Sequence, residues 1–334
     1  MKRHLRLIIL LGLVVALFIG AYFLSSPLKR SLADGYRFIR NSYSNFQYTD
    51  DYLTFRYPTE NLDCPIDNCN LTYRLLDAYF DVLMLEQAGA TPRELGDQLD
   101  DAQAVTTVIK PFWQRDSINN TLKSNGNEDF ALDAYCIFGW LTSDQAMAES
   151  VIQYLSGFSW LAENYYTQDR WRNIADETWC IRLMIATDTG KDKLADIISR
   201  KISQTNSFII EASAIDQQAV LYHMVYVLKE ALDKGIGIED LNNTFSLYTQ
   251  QLWIVTQEDE LLSNSLIVAN TLEALISVKY DDQEGLKQLA DKLISLQQKD
   301  GSWRPTPEAT QGQVFASLRA LLALEKYSNY IKSL

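Results

Sequence analysis

Three tetrapeptides pose the chemical question: Asp77-Ala78-Tyr79-Phe80, Asp133-Ala134-Tyr135-Cys136 and Glu177-Thr178-Trp179-Cys180. Each reads acid, small residue, aromatic, then Phe or Cys, and a mostly apolar run follows. Asp176 precedes the third, and Asp216 and Tyr222 fall in a later segment of the same texture. Two carboxylates on opposite walls of a cleft, one protonated and one ionised, are what glycosidic cleavage requires. Glu177 or Asp176, with Asp133 or Asp77 as partner, are therefore the candidate catalytic acids. Asp216, Tyr79, Tyr135, Trp179, Tyr222 and Trp303 are candidate substrate contacts, because aromatic faces stack on sugar rings or steady a carbocation. A purely structural explanation competes. Acids in the first turns of a helix suit its dipole, and aromatics that recur at repeat positions commonly serve packing. His223, inside AVLYHMVYVL, reads as a packed core histidine. The run Asn125-Gly126-Asn127-Glu128-Asp129 lacks the full spacing of a calcium loop.

These residues need elements to hold them. From Leu71 onward apolar residues recur at helical spacing, and no strand-like alternation persists, so the body reads as all-α. The helices come in pairs. First helices are expected over 72–87, 129–141, 172–187, 215–233, 264–280 and 309–327. Second helices follow the first five, over 93–113, 143–163, 192–204, 238–253 and 284–298. Starts spaced by about 43 to 57 residues belong to helical-hairpin repeats. Segments such as IVANTLEALI are apolar on all sides, whereas GLKQLADKLISL is amphipathic. The contrast predicts an inner ring wrapped by an outer one, an (α/α)6 toroid; an open superhelix is the rival. A helix over 31–46 would supply the twelfth member of the toroid.

Near the C-terminus, LISLQQKDGSW (residues 293–303) resembles the glutamine–tryptophan repeat of squalene and hopene cyclases and the similar repeats of protein prenyltransferases. In those families an outer helix ends on Gln, a turn carries Asp-Gly-Ser-Trp, and the next inner helix follows. Gly301 then supplies a positive-φ position, Trp303 packs over the preceding helix end, and Pro305 and Pro307 delay the next helix. The resemblance implies an α/α toroid without those families' activities. Gln98-Leu99-Asp100-Asp101 lacks the first acid of the cyclase Asp-x-Asp-Asp motif, and Asp100-Asp101-Ala102 fails the Asp-Asp-x-x-Asp pattern. His223 has no Asp-x-Cys to complete a prenyltransferase zinc site. The Gly-Cys-Gly-Glu-Gln signature of complement-type thioester domains is also missing. No metal and no cofactor are expected.

The N-terminus gives an address. Leu7 to Leu24, LIILLGLVVALFIGAYFL, carries no charge over 18 residues; at ~1.5 Å per residue it reaches about 27 Å, close to a bilayer's hydrocarbon thickness. Lys2, Arg3 and Arg6 precede it, which favours the N-terminus inside and the body outside. AYFLSSPLKR offers no convincing small-x-small cleavage site, so an uncleaved anchor is expected over a removed signal peptide. The chain thus divides into a basic tail (1–6), a membrane anchor (7–24), a stem (25–70) and a toroid (71–334). Beyond residue 30 the chain holds 25 basic against 43 acidic side chains, a net −18. Such a body repels phosphate backbones, which argues against nucleic acid as a partner. Asn70, Asn119 and Asn242 open glycosylation sequons. Four cysteines suit an oxidising compartment. Cys136 and Cys180 align on consecutive inner helices and are expected to bridge, and Cys64 and Cys69 are expected to close a small loop. Three function classes remain: a surface-anchored hydrolase or lyase on glycans, a cyclase-like protein for an isoprenoid lipid, and a non-catalytic surface binding module.

Overall fold

A computed structural model describes residues 26–42, 45–48, 52–57, 60–65, 73–115, 128–157, 170–307, 309 and 313–334. Leu7 to Leu24 lies outside them, as do Asn70, Asn119 and Cys69, and so does the side chain of Cys64. Among the described residues no helix is long and apolar enough to cross a membrane.

The first element is helix α1, Pro27–Asn41. Ser26 caps it by accepting from the Lys29 amide, and Pro27 occupies the first turn, where a missing N–H costs nothing. Leu28, Leu32, Tyr36 and Ile39 form one buried stripe. The rest of the stem corrects the expected loop. Strands β1 (Asn45–Tyr48), β2 (Tyr52–Tyr57) and β3 (Glu60–Pro65) make an antiparallel meander in that order. The β2–β3 pairing runs from Tyr52 opposite Pro65 to Tyr57 opposite Glu60. Their alternation is only four to six residues long, too short to stand out beside helical periodicity. The stem helix also ends earlier than the expected 46.

The body is all-α. Its first helices are α2 (Tyr73–Gln87), α5 (Glu128–Thr142), α7 (Arg170–Ala186), α9 (Ala214–Asp233), α12 (Ser265–Ser277) and α14 (Val314–Ser333). Between them stand α3 (Pro92–Leu95) with α4 (Asp97–Arg115), α6 (Gln145–Gly157), α8 (Lys191–Ile209), α10 (Leu241–Thr256) with α11 (Asp259–Leu262), and α13 (Gln283–Ser295). The expected helix over 93–113 is broken at Gly96, whose φ of 62° the helix cannot absorb. Helix α14 starts at Val314, five residues later than expected from 309; Ala309 and Gln313 themselves stand outside helix.

Among the first helices, α2 packs on α5, α5 on α7, α7 on α9, α9 on α12, α12 on α14, and α14 on α2. The six run in one direction. Cys136 meets Cys180 and Gly139 meets Leu183 across α5 and α7, and Asn329 of α14 donates to the Ala88 carbonyl just beyond α2. The second helices lie against them one-sidedly: α13 buries Leu286, Leu289, Ala290 and Leu293, whereas α12 buries an almost unbroken run from Ile267 to Leu275. Helix α1 packs on α14 and touches α13, α3 and α4.

The Gln-Trp turn fastens these parts. Gly301 has φ +93°, and a Cβ there would overlap the Asp34 carbonyl of α1. Gln297 donates to the Ser31 and Gly301 carbonyls at 2.9 and 3.0 Å. Asp300 accepts from the Ser302 amide and hydroxyl. Trp303 is fully buried, its indole N–H on the Leu293 carbonyl at 2.8 Å and its amide on the Ser317 hydroxyl at 3.0 Å. Cys136 and Cys180 form a disulfide between α5 and α7, with Cα atoms 4.8 Å apart.

Candidate functional site

One cavity of about 240 Å³ is lined by residues from all six first helices. Met84, Gln87 and Ala88 come from α2 and its end, Trp140 from α5, and Trp179 and Arg182 from α7. Tyr222 and Tyr226 come from α9, Glu273 from α12, and Arg319 and Lys326 from α14. Most sit in the second half of their helix, so the cavity lies toward the end of the body where the first helices finish.

Three ion pairs organise its wall. Arg182 is buried; its Nε and Nη2 both stand 2.9 Å from Oε1 of Glu230. The same guanidinium lies 4.4, 4.1 and 4.4 Å from the ring centres of Trp140, Trp179 and Tyr226. The aromatic π-faces thus hold the cation that Glu230 neutralises. Arg319 Nε is 3.0 Å from Oδ2 of the fully buried Asp81, and its Nη1 donates to the Tyr222 hydroxyl at 3.4 Å. Lys326 pairs with Glu273 and donates to the Ser277 hydroxyl at 3.0 Å. Glu273 also accepts from Tyr226, and from Ser277 at 3.3 Å.

The surroundings shift several of the titratable groups in and around the cavity. Burial pushes the Glu273 carboxyl up, but the Lys326 charge, hydrogen bonds from Lys326 and Tyr226, and the Arg319 charge outweigh it and hold the group below the usual range. Burial raises Tyr222, and it raises Tyr226 with help from the Glu273 charge. His223, edge-on to Tyr222 and Trp179, is brought down to about 3 by burial and by the charges of Arg182 and Arg319. It is a neutral imidazole packed beside Tyr222 and Trp179, in keeping with a packed histidine. Burial raises Glu230 against the pull of Arg182.

Of the sequence candidates, Trp179 and Tyr222 line this cavity. The others do not. Glu177 pairs with the buried Lys201 of α8, so it serves the contact between two helices rather than the cavity. Asp216 belongs to the start of α9, where its carboxylate accepts from the Ser213 hydroxyl at 2.8 Å and its amide donates back. Tyr79 is fully buried in the core. Tyr135 is buried too; burial pushes its hydroxyl up to about 12, against a hydrogen bond with Ser150 of α6. Trp303 is the core of its turn. The side chains of Asp77, Asp133 and Asp176 lie outside the described residues. Asn242 is exposed at the start of α10.

The cavity lies nearer the helix ends than the basin expected at their starts, and the side chains of three of that basin's five acids lie outside the described residues. Sequence reasoning missed Trp140, Arg182, Tyr226, Glu273, Arg319 and Lys326. A signal was present. Arg182 in CIRLMIA, Glu273 in NTLEALIS and Arg319 in FASLRALLAL each put a charge into a helix apolar on all sides, and buried charges occur almost only when paired. Among the described residues Glu273 is the one carboxylate that lines the cavity, and no group of three His, Cys, Asp or Glu side chains is placed to hold a metal ion. Neither a family model nor a curated protein matches this chain.

Proposed function

We propose that this chain is a membrane-anchored (α/α)6 toroid whose body stands on the extracytoplasmic side and binds an acidic saccharide in its axial cavity. The ligand is a uronate-type unit of a cell-surface or extracellular glycan. Support for the toroid is the packing order of the first helices, which returns to its starting member, and the contribution of all six to one cavity. The α1 helix completes the outer set. The Gln-Trp turn keeps its place as a resemblance to the cyclase and prenyltransferase repeats.

One observation carries the ligand class. Of the four charged side chains lining the cavity, three are cations, Arg182, Arg319 and Lys326, while Asp81 and Glu230 sit behind them. Guanidinium groups suit a carboxylate by charge and geometry, and Trp140, Trp179, Tyr222 and Tyr226 give amphipathic walls for a sugar's C–H faces. At about 240 Å³ the space falls below the usual ~300–1,000 Å³ of ligand pockets, so a single ring fits better than a polymer stretch.

Binding suits the site better than turnover. General acid–base catalysis works best with groups that titrate near the working pH. Here His223 is low, the tyrosines are high and Glu273 is ionised. Hydrolysis also needs a second carboxylate facing the first. An isoprenoid chain would have to bury these charges against hydrocarbon, which is costly.

Calorimetric titration of the full chain in detergent tests the reading, with glucuronate, glucose and a short prenyl alcohol as ligands. Glucuronate should bind at least tenfold more tightly than glucose, and added salt should weaken it. Equal affinity for the two sugars, or preference for the prenyl alcohol, sinks the proposal. Release of an unsaturated or hydrolysed product from a uronide would restore the enzymatic reading.

A further inference from the structure

The direction of α1 relative to the other helices fixes which end of the body faces the membrane. The start of α1 lies beside the Gln-Trp turn: the Ser31 carbonyl accepts from Gln297, and Gly301 abuts Asp34. Its end lies at the opposite pole, where Arg40 donates to the Arg93 and Glu94 carbonyls beyond the finish of α2. Helix α1 therefore runs with the first helices and begins at the pole where they begin. Only Ser25 and Ser26 separate Leu24 from Pro27, and at ~3.3–3.6 Å per residue that connection spans about 10 Å at most.

The same pole carries exposed apolar side chains. Ile210 is 82% exposed and Ile215 44% exposed; they flank the turn from α8 into α9. Ile254, 58% exposed, stands in the last turn of α10. Tyr248 of α10 bonds the Ile202 carbonyl and Asn206 of α8, so the two helices lie side by side and finish at this pole. Among the described residues the other exposed large apolar side chains do not gather there: Leu247 sits halfway along α10, and Ile331 and Leu334 close α14 at the far pole.

We infer that the body rests on the lipid surface through the pole where its first helices begin, with Ile210, Ile215 and Ile254 in the bilayer interface, and that the cavity opens at the opposite pole, away from the membrane. This rests on the anchor reading of Leu7 to Leu24. The exposed Gln87 at the cavity rim marks the far pole as the side of ligand entry. Lys29 and Arg30 stand in the first turn of α1, while Glu211, Asp216, Glu258, Asp259 and Glu260 flank the isoleucines. That acidic fringe excludes a contact driven by anionic lipid and limits it to shallow apolar insertion beside a covalent tether. A cavity so placed serves a glycan that approaches from outside rather than a lipid of the host membrane.

The test uses the full chain in zwitterionic lipid nanodiscs, with one fluorescent unnatural amino acid at position 210 or, in a second protein, at position 237. Gly237 lies in the turn from α9 into α10 at the far pole, and a side chain there meets nothing. A spin label on the lipid headgroup should quench the 210 probe and leave the 237 probe bright, and aqueous iodide should show the reverse, severalfold. Equal iodide access at both positions with no lipid quenching overturns the orientation. Vesicle flotation separates the two ideas: a chain that floats with its 210 probe in water keeps the anchor and loses the orientation, whereas a chain that fails to float loses both.

Discussion

Replacing Arg182 by methionine removes the cation from a buried cage while keeping its length. In the native protein the Arg182 side chain is 6% exposed and the Glu230 carboxylate 25% exposed. The variant leaves that carboxylate without its Arg182 counter-charge and the rings of Trp140, Trp179 and Tyr226 without their cation. Breaking one partner of a buried pair costs about 3–5 kcal/mol. Three lost cation–π contacts add to it at ~0.5–2 kcal/mol each, and methionine's sulfur–aromatic contacts return ~0.3–1.5 kcal/mol apiece. A net loss of about 3–5 kcal/mol is the expectation, or some 6–10 °C in Tm at about 2 °C per kcal/mol for a body of this size. The sign with pH follows from Glu230. Its carboxyl is already raised by burial against the pull of Arg182, and removing that pull raises it further. A group raised in the folded state favours folding once it is protonated. The deficit should therefore be largest at pH 7 and above and shrink as pH falls through the raised value. Arg182→Met with Glu230→Gln should recover part of the loss at pH 7, because no uncompensated charge is left. Circular dichroism melts of the full chain in detergent, from pH 4 to pH 8, read all three. A single variant within about 1 kcal/mol of wild type, a deficit that ignores pH, or a double variant worse than the sum of the singles would falsify this account of the cage.

The disulfide spans a sequence separation of 44 residues, worth about 4 kcal/mol in the chain-entropy model. Cys136→Ala/Cys180→Ala should melt about 8 °C lower, and non-reducing peptide maps of the native protein should show the two joined; alkylatable thiols at both positions would contradict it. Gly301→Ala forces a Cβ onto the Asp34 carbonyl at a positive φ, at a cost of ~1–3 kcal/mol. Hydrogen exchange should quicken in α1 ahead of the rest of the body, and unchanged protection there would mean that the turn does not hold α1. Trp303→Phe leaves the Leu293 carbonyl without its indole donor, for ~1–3 kcal/mol. It should not alter uronate affinity, and a large change in affinity would return Trp303 to the ligand site.

What the sequence disclosed and what it hid divide along a physical line. Periodicity reports which faces of a helix are buried, so the paired helices of the body and the contrast between α12 and α13 were legible from apolar spacing, and the alignment of Cys136 with Cys180 from the matching tetrapeptides that end in them. The Gln-Trp turn was legible because glycine at positive φ and tryptophan beside it leave few local conformations. The candidate site was not, since reading acids at helix starts as a basin presumed that a helix's polar end is its functional end. Glu177 turns instead to Lys201 of a second helix, and Asp216 closes a cap with Ser213. A helix start exposes amide donors that attract carboxylates whether or not a ligand exists. A charge halfway down an apolar helix has no such local cause. Arg182 and Glu273 are buried and Arg319 largely covered, at a desolvation cost that a partner must offset, and the partners Glu230, Lys326 and Asp81 come from other helices. Spacing along one chain cannot name such pairs, but their necessity is visible in it: three unexplained interior charges on three parallel helices oblige the helices to meet around a shared polar space. That space is the cavity.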